Sequence, residues 1–179
     1  MTMTQRLDIN PYGRVTEPAT LVIERLLPGP ASRIWRYLTD GEMRRQWLAA
    51  GAMEEKAGAP FELVWRNDEL TDPPGHRPEG FGDEMRMKSR VLEVQKDKRL
   101  VFTWGESGEV SFDLKAEGDE VLLTVTHRRI SDRANLLMVG AGWHMHLDIL
   151  AARLTGTQSE PFWDGWLKLK DDYDRRIPA

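Results

Sequence analysis

The sequence predicts an α+β fold in which a curved antiparallel sheet wraps around one long C-terminal helix, with two short helices after the first strand. Three observations predict it. Between residues 61 and 127, apolar side chains recur at every second position in short runs separated by turn residues, the mark of half-buried antiparallel strands. Near the end, Trp143, Leu147, Leu150 and Leu154 fall at steps of four, three and four, which is one stripe of an amphipathic helix. Between the first β-rich run and the other strands, Pro28, Gly29 and Pro30 interrupt the chain, and helical spacing follows. A single long helix after a series of strands buries its stripe by lying across the concave face of their sheet. That arrangement can enclose a cavity.

The elements follow in order. Residues 1–19 are polar, contain Pro11, Gly13 and Pro18, and read as an irregular arm, with 12–16 adding to a sheet edge. Residues 21–27 are β-rich, and Pro30 suits the first turn of a helix that puts Ile34, Trp35 and Leu38 on one face. Thr39, Asp40, Gly41 and Glu42 fit a capping box with Thr39 as N-cap and Glu42 reaching back, opening a second short helix with Met43 and Trp47. Phe61, Leu63 and Trp65 then alternate with polar residues. Residues 67–83 hold Pro73, Pro74, Gly75, Pro78, Gly80 and Gly82 with little apolar content, and read as a mobile rim or lid.

Strands resume with Met85, Met87, Ser89 and Val91 on one face and Arg86, Lys88 and Arg90 on the other. A turn at Asp97-Lys98 leads to Leu100, Phe102 and Trp104, then Val110, Phe112 and Leu114. Gly118-Asp119 turns the chain into Val121, Leu123, Val125 and His127. Ser131-Asp132 caps a helical segment that leads into the long helix. Gly140 and Gly142 each cost up to ~1 kcal/mol in a helix interior, so either the helix breaks there or a neighbour comes close. Gly156 ends the helix, and Ser159 with Glu160-Pro161 starts a last one carrying Trp163, Trp166, Leu167 and Tyr173. The expected organisation is an arm (1–19), one sheet-and-helix domain (20–156) and a helical extension packed on it (157–179).

Composition narrows the function classes. The chain of 179 residues suits one domain, and its 25 basic and 29 acidic residues, net −4, are interspersed. No basic face is offered to nucleic acid or to an anionic membrane surface. Cysteine is absent, which excludes disulfides, thiolate metal sites and cysteine nucleophiles. Residues 1–6 lack an apolar leader core, and no apolar run is long enough to span a bilayer, so a cytoplasmic monomer or homodimer is expected.

Several stretches resemble a known family. They are the run from Ile23 to Pro30, then Ile34, Trp35, Tyr37, Leu38 and Asp40, with Trp47 after the second helix. Further on come Arg99, Leu100, Val101, Phe102, Thr103 and Trp104, and Gly142-Trp143 with Leu147 and Leu150. As a set, over roughly residues 20–156, they resemble the SRPBCC (START-like, helix-grip) superfamily, and more narrowly its heat-shock-protein-90 ATPase activator-homologue branch. The resemblance implies a sheet of seven or so antiparallel strands gripping the long helix, with a hydrophobic cavity between them. Relatives include lipid carriers, plant hormone receptors, polyketide aromatases and co-chaperone domains, so fold alone does not choose a function. Co-chaperone relatives carry an additional N-terminal chaperone-binding domain for which this chain has no room, and chaperone activation is not expected.

The candidate site is that cavity. Trp143, Leu147 and Leu150 on the helix are expected to face Met85, Met87, Phe102, Trp104, Phe112, Leu114, Leu123, Val125 and His127 on the strands, because both sets are the apolar parity of their elements. Trp35 and Trp47 should close one end and the 67–83 loop overhang the other, around ~300–1,000 Å³. Leu147→Trp should then fill it. The expected ligand is a small hydrophobic or amphipathic molecule. An alternative is a cyclase- or hydrolase-like enzyme with His127 as acid–base group. The bland reading of His127 is a core histidine satisfied by Tyr, Trp or a main-chain carbonyl. A further alternative is a co-chaperone-like or stress-response interaction domain using exposed Trp163 and Trp166. Neither a metal nor a cofactor is expected: His144 and His146 point to different sides of a helix, and His144 with Asp148 reads as a surface i,i+4 pair. Gly105-Glu106-Ser107-Gly108 lies in a hairpin turn and lacks the strand-to-helix setting of a nucleophile elbow.

Overall fold

Strand β2 (Thr20–Pro28) is the first element whose alternation reaches the core: Leu21, Ile23 and Leu27 are fully buried, and their neighbours are not. In the computed structural model, which describes residues 7–178, it belongs to a seven-stranded sheet. The leader-peptide reading of residues 1–6 lies outside that range. The other strands are β1 (Arg14–Glu17), β3 (Pro60–Trp65), β4 (Met85–Gln95), β5 (Arg99–Trp104), β6 (Gly108–Glu117) and β7 (Glu120–Arg128). Their order is β1-β2-β7-β6-β5-β4-β3, with every neighbouring pair antiparallel. The part of the arm expected at a sheet edge is β1, which pairs Arg14 with Val22.

Helix α3 (Arg133–Thr155) crosses the inner face, and α4 (Phe162–Arg176) packs on its far side. Asp132 caps α3 by accepting from the Asn135 N–H, and Gly156 closes it in the left-handed region at φ 70°. The helix does not break at its glycines. A Cβ on Gly140 would stand 3.2 Å from the Tyr173 ring of α4, so the missing side chain lets the two helices meet. Because α4 covers the outer side, α3 is not a one-stripe amphipathic helix. Ala141, Trp143, His144, Met145, His146, Leu147, Ile149 and Leu150 are all buried around its circumference.

The short helices are α1 (Ala31–Thr39) and α2 (Gly41–Arg44). The cap between them differs from the sequence reading. Asp40 accepts from the Glu42 and Met43 N–H groups, while the Thr39 hydroxyl donates to the Trp35 carbonyl inside α1. Thr39 is still helical, so it cannot take the extended backbone an N-cap needs, and Glu42 turns to Arg45 instead. Arg44 is buried and donates to the Leu38 and Thr39 carbonyls at the end of α1 and to those of Ala49 and Gly51 in the segment that follows α2. Burial lowers its pKa to about 10. This order of strand, helix pair, meander and clasped helix is the helix-grip architecture.

Residues 67–76 are strapped to α4 instead of standing free. Pro161 gives α4 no side-chain cap, and the loop supplies the missing acceptors: Thr71 Oγ1 for the Phe162 N–H and the Pro74 carbonyl for the Trp163 N–H. Leu70 is buried beneath, and Asp164 accepts from the His76 N–H.

Candidate functional site: an aromatic cavity at the open end of the grip

A cavity of about 290 Å³ lies where α3, α4, the 67–83 loop and the ends of β3, β4 and β5 converge. Each wall comes from a different constraint. Trp65 and Met85 face each other across the β3–β4 ladder, and Trp104 ends β5 within 5.4 Å of Trp65. From α3 come Met138, Val139, Gly142, Trp143 and His146, and from α4 Phe162, Trp163 and Trp166. Phe81 reaches in from the loop and stacks at 5.3 Å on Trp163 and 5.4 Å on Trp166. Met85 and Phe81 form the mouth, 57% and 40% exposed.

Second contacts hold the rings. Trp143 Nε1–H donates to His127 Nδ1 at 3.0 Å, and Trp163 Nε1–H donates to Asp68 at 2.7 Å. His146 Nδ1 sits 2.8 Å from the Trp47 carbonyl oxygen. Gly142 leaves the gap itself, since a Cβ there would meet nothing nearer than Trp166 Nε1 at 4.0 Å. No charged side chain lines the space. Asn67 borders it, and its Oδ1 is buried without a hydrogen-bond partner.

Of the residues expected to line a pocket, Met85, Trp104 and Trp143 lie on this wall. The others do not. Phe102, Phe112, Leu114, Leu123, Val125, Leu147 and Leu150 are core, because over the middle of the sheet the helix sits flush and the rings fill the space. Phe112 packs at 5.4 Å on Phe102 and 5.7 Å on Trp143. Leu147 is fully buried, so Leu147→Trp would overpack the interior instead of filling the cavity. Met87 is half-buried against the edge of the core and borders a separate groove with Arg86, Lys88 and Arg90. His127 is 2% exposed behind the wall and already accepts from Trp143, as a satisfied core histidine would. Burial lowers its pKa to about 4, which keeps the acceptor nitrogen free of a proton at neutral pH.

Trp163 and Trp166 are 4% and 5% exposed, which removes the exposed-tryptophan surface the interaction reading required. Sequence reasoning missed them as wall residues, along with His146, Gly142, Phe81 and Asn67. Two signals were present: a glycine inside the apolar run of the long helix, and a lone aromatic in a Pro/Gly-rich loop.

His144 and Asp148 are not a surface pair. His144 is buried, with the Tyr173 hydroxyl 3.0 Å from Nδ1 and Asp148 Oδ2 3.6 Å from Nε2, and Asp148 pairs with Arg25 at 2.9 Å. The order Tyr, His, Asp looks like a proton relay. Burial, then Arg25, depress His144 to about 3, and burial pushes Tyr173 up to about 12. Tyr173 is also fully buried and accepts from the Gly13 N–H, which ties the arm to α4. The cluster joins β2, α3, α4 and the arm through these contacts. Among the described residues no group of three or more His, Asp or Glu converges to hold a metal, and no helix is long and apolar enough to cross a membrane.

An open antiparallel sheet clasping a long helix, with an aromatic space at one end, defines a helix-grip domain. The family described as activator of Hsp90 ATPase homolog 1-like protein matches residues 28–155, and the chain belongs to that family. A protein of Bordetella parapertussis solved by NMR is 33% identical with a TM-score of 0.78, over 100% of this chain and 97% of that one. CalU16 of Micromonospora echinospora shares the fold at 23% identity and a TM-score of 0.67, over 93% and 96%. A conserved protein of unknown function from Enterococcus faecalis does so at 20% and 0.66, over 92% and 88%. Among curated proteins none matches.

Proposed function

We propose that this protein is a binding module for a small apolar or amphipathic molecule, held in the cavity between α3, α4 and the 67–83 loop. The observation that carries the reading is a wall of indole and phenyl rings around about 290 Å³ of unfilled space, with a mouth at Met85 and Phe81. A folded core closes such space unless something else fills it, since interiors pack to crystal density. The volume stands at the lower end of small-molecule sites. Gly142 supports the same reading, because a larger residue would give a better helix and would occupy the space.

The test uses that glycine. Gly142→Leu puts a side chain into the cavity from a position that meets no neighbour. The variant should keep or raise the melting temperature and lose uptake of a neutral solvatochromic dye such as Nile red. Equal dye binding by the variant and the parent, or no binding by the parent, would sink the proposal.

A further inference from the structure

His146 carries information that the aromatic wall does not. Its Nδ1 lies 2.8 Å from the Trp47 carbonyl oxygen, and a carbonyl can only accept. In the neutral ring the proton therefore sits on Nδ1, and Nε2 is left as a bare acceptor. Phe162 packs against the ring at 4.9 Å and holds its plane. The residue lines the cavity, and among the described residues Nε2 has no donor. The backbone of α2 and its following turn thus selects the tautomer of a side chain on α3. Burial keeps the ring neutral at physiological pH, with its pKa lowered to about 4.

The rest of the wall restricts what that acceptor can meet. No carboxylate lines the cavity to balance a cation, and no Lys or Arg lines it to balance an anion. The occupant is therefore neutral. The flat faces of Trp65, Trp104, Trp143 and Trp166 favour a planar ring over a flexible chain. An aromatic alcohol is such a molecule, neutral and planar, with a strong donor at its edge and an acceptor on the same oxygen. Its hydroxyl would donate to Nε2, and its oxygen could accept from the Trp166 indole N–H, which has no acceptor among the described residues.

We infer that the cavity recognises a phenol- or naphthol-class molecule, with His146 Nε2 as the acceptor of its hydroxyl. This rests on the cavity being the binding site, and the experiment separates the two. The full-length protein is titrated with 2-naphthol and with 2-methoxynaphthalene, which keeps the ring and the oxygen but has no donor. The parent should prefer 2-naphthol by about three- to ten-fold, the worth of one net hydrogen bond. In His146→Asn, the amide nitrogen can still donate to the Trp47 carbonyl while the Nε2 acceptor is gone. The preference should vanish there, with 2-methoxynaphthalene affinity within about two-fold of the parent. Should that variant fold poorly, the parent with ¹⁵N-labelled imidazoles answers instead: the Nε2 resonance of His146 should move with 2-naphthol and stay with 2-methoxynaphthalene. Equal binding of both ligands to the parent, a preference that survives in His146→Asn, or a stationary Nε2 resonance would overturn the assignment and leave the cavity standing. Failure of both ligands to bind the parent would overturn both.

Discussion

His127, His144 and His146 are buried, and burial depresses the pKa of each below its usual value, to about 4, 3 and 4. The sign follows directly. Above ~6.5 the rings are neutral in both folded and unfolded chains, so nothing is gained or lost. Below that value the unfolded chain takes up protons that the folded one refuses, and stability falls until the folded pKa is reached. Asp148 works the other way, because burial holds its carboxyl above the usual range, and it offsets part of the loss near pH 4. Thermal denaturation between pH 6.5 and 4.5 should show stability declining by on the order of 1 kcal/mol per pH unit for each histidine. A flat profile would contradict the buried placement. The inward parity of His127 was legible, since it continues the alternation of Leu123 and Val125. Its partner Trp143 was not, because it lies on another element that only the packing of helix on sheet brings within reach. His144 illustrates the same limit: an i,i+4 neighbour is visible in a sequence, but Tyr173 on α4 is not.

At the scale of elements, α3 carries two glycines one turn-half apart that do opposite things. Gly140 lies under the Tyr173 ring, whose hydroxyl is fixed by the Gly13 N–H and by His144, so the ring cannot give way. Gly142 faces open space. Alanine at either site gains up to ~1 kcal/mol of helix propensity. Gly140→Ala should nevertheless destabilise, by about 1–3 kcal/mol from overpacking, while Gly142→Ala should stabilise by up to ~1 kcal/mol. Urea denaturation of the pair decides it, and equal effects would refute the contact geometry. The sequence posed the right alternative, a break or a close approach, but could not say which glycine met which neighbour. The strands, the α3 caps at Asp132 and Gly156 and the existence of α4 were readable because each depends on local pattern. The Asp40 cap was misread because α1 runs one residue further than its apolar stripe requires.

For the molecule as a whole, α4 is part of the core and not an appendage. It contributes Phe162, Trp163, Trp166, Leu169 and Tyr173, all buried. At roughly 1.5–3 kcal/mol for each side chain, their removal is comparable to the entire stability of a domain, about 5–15 kcal/mol. A chain ending at Gly156 should therefore show no cooperative thermal transition, even though the family match reaches only residue 155. A sharp transition near that of the full chain would show that the helix-grip unit closes without it. The architecture was legible because an apolar helix after a meander has one surface to bury itself on. The position of the cavity was not, because parity marks which side chains turn inward and says nothing about where they fail to fill the interior. That depends on Gly142, on the return of α4, and on a loop whose composition suggested freedom but whose carbonyls cap a helix.

The crowding of the aromatic wall has an optical consequence. Trp65 and Trp104 lie 5.4 Å apart, Trp104 and Trp143 5.5 Å, and Trp163 and Trp166 5.8 Å. At such separations an excited indole hands its energy to a neighbour far faster than it emits. The wall then behaves as an antenna, in which light absorbed by one ring is emitted, or lost, at another. An occupant that quenches a single ring would darken its coupled neighbours as well, so the native emission is a property of the assembly, not a sum over residues.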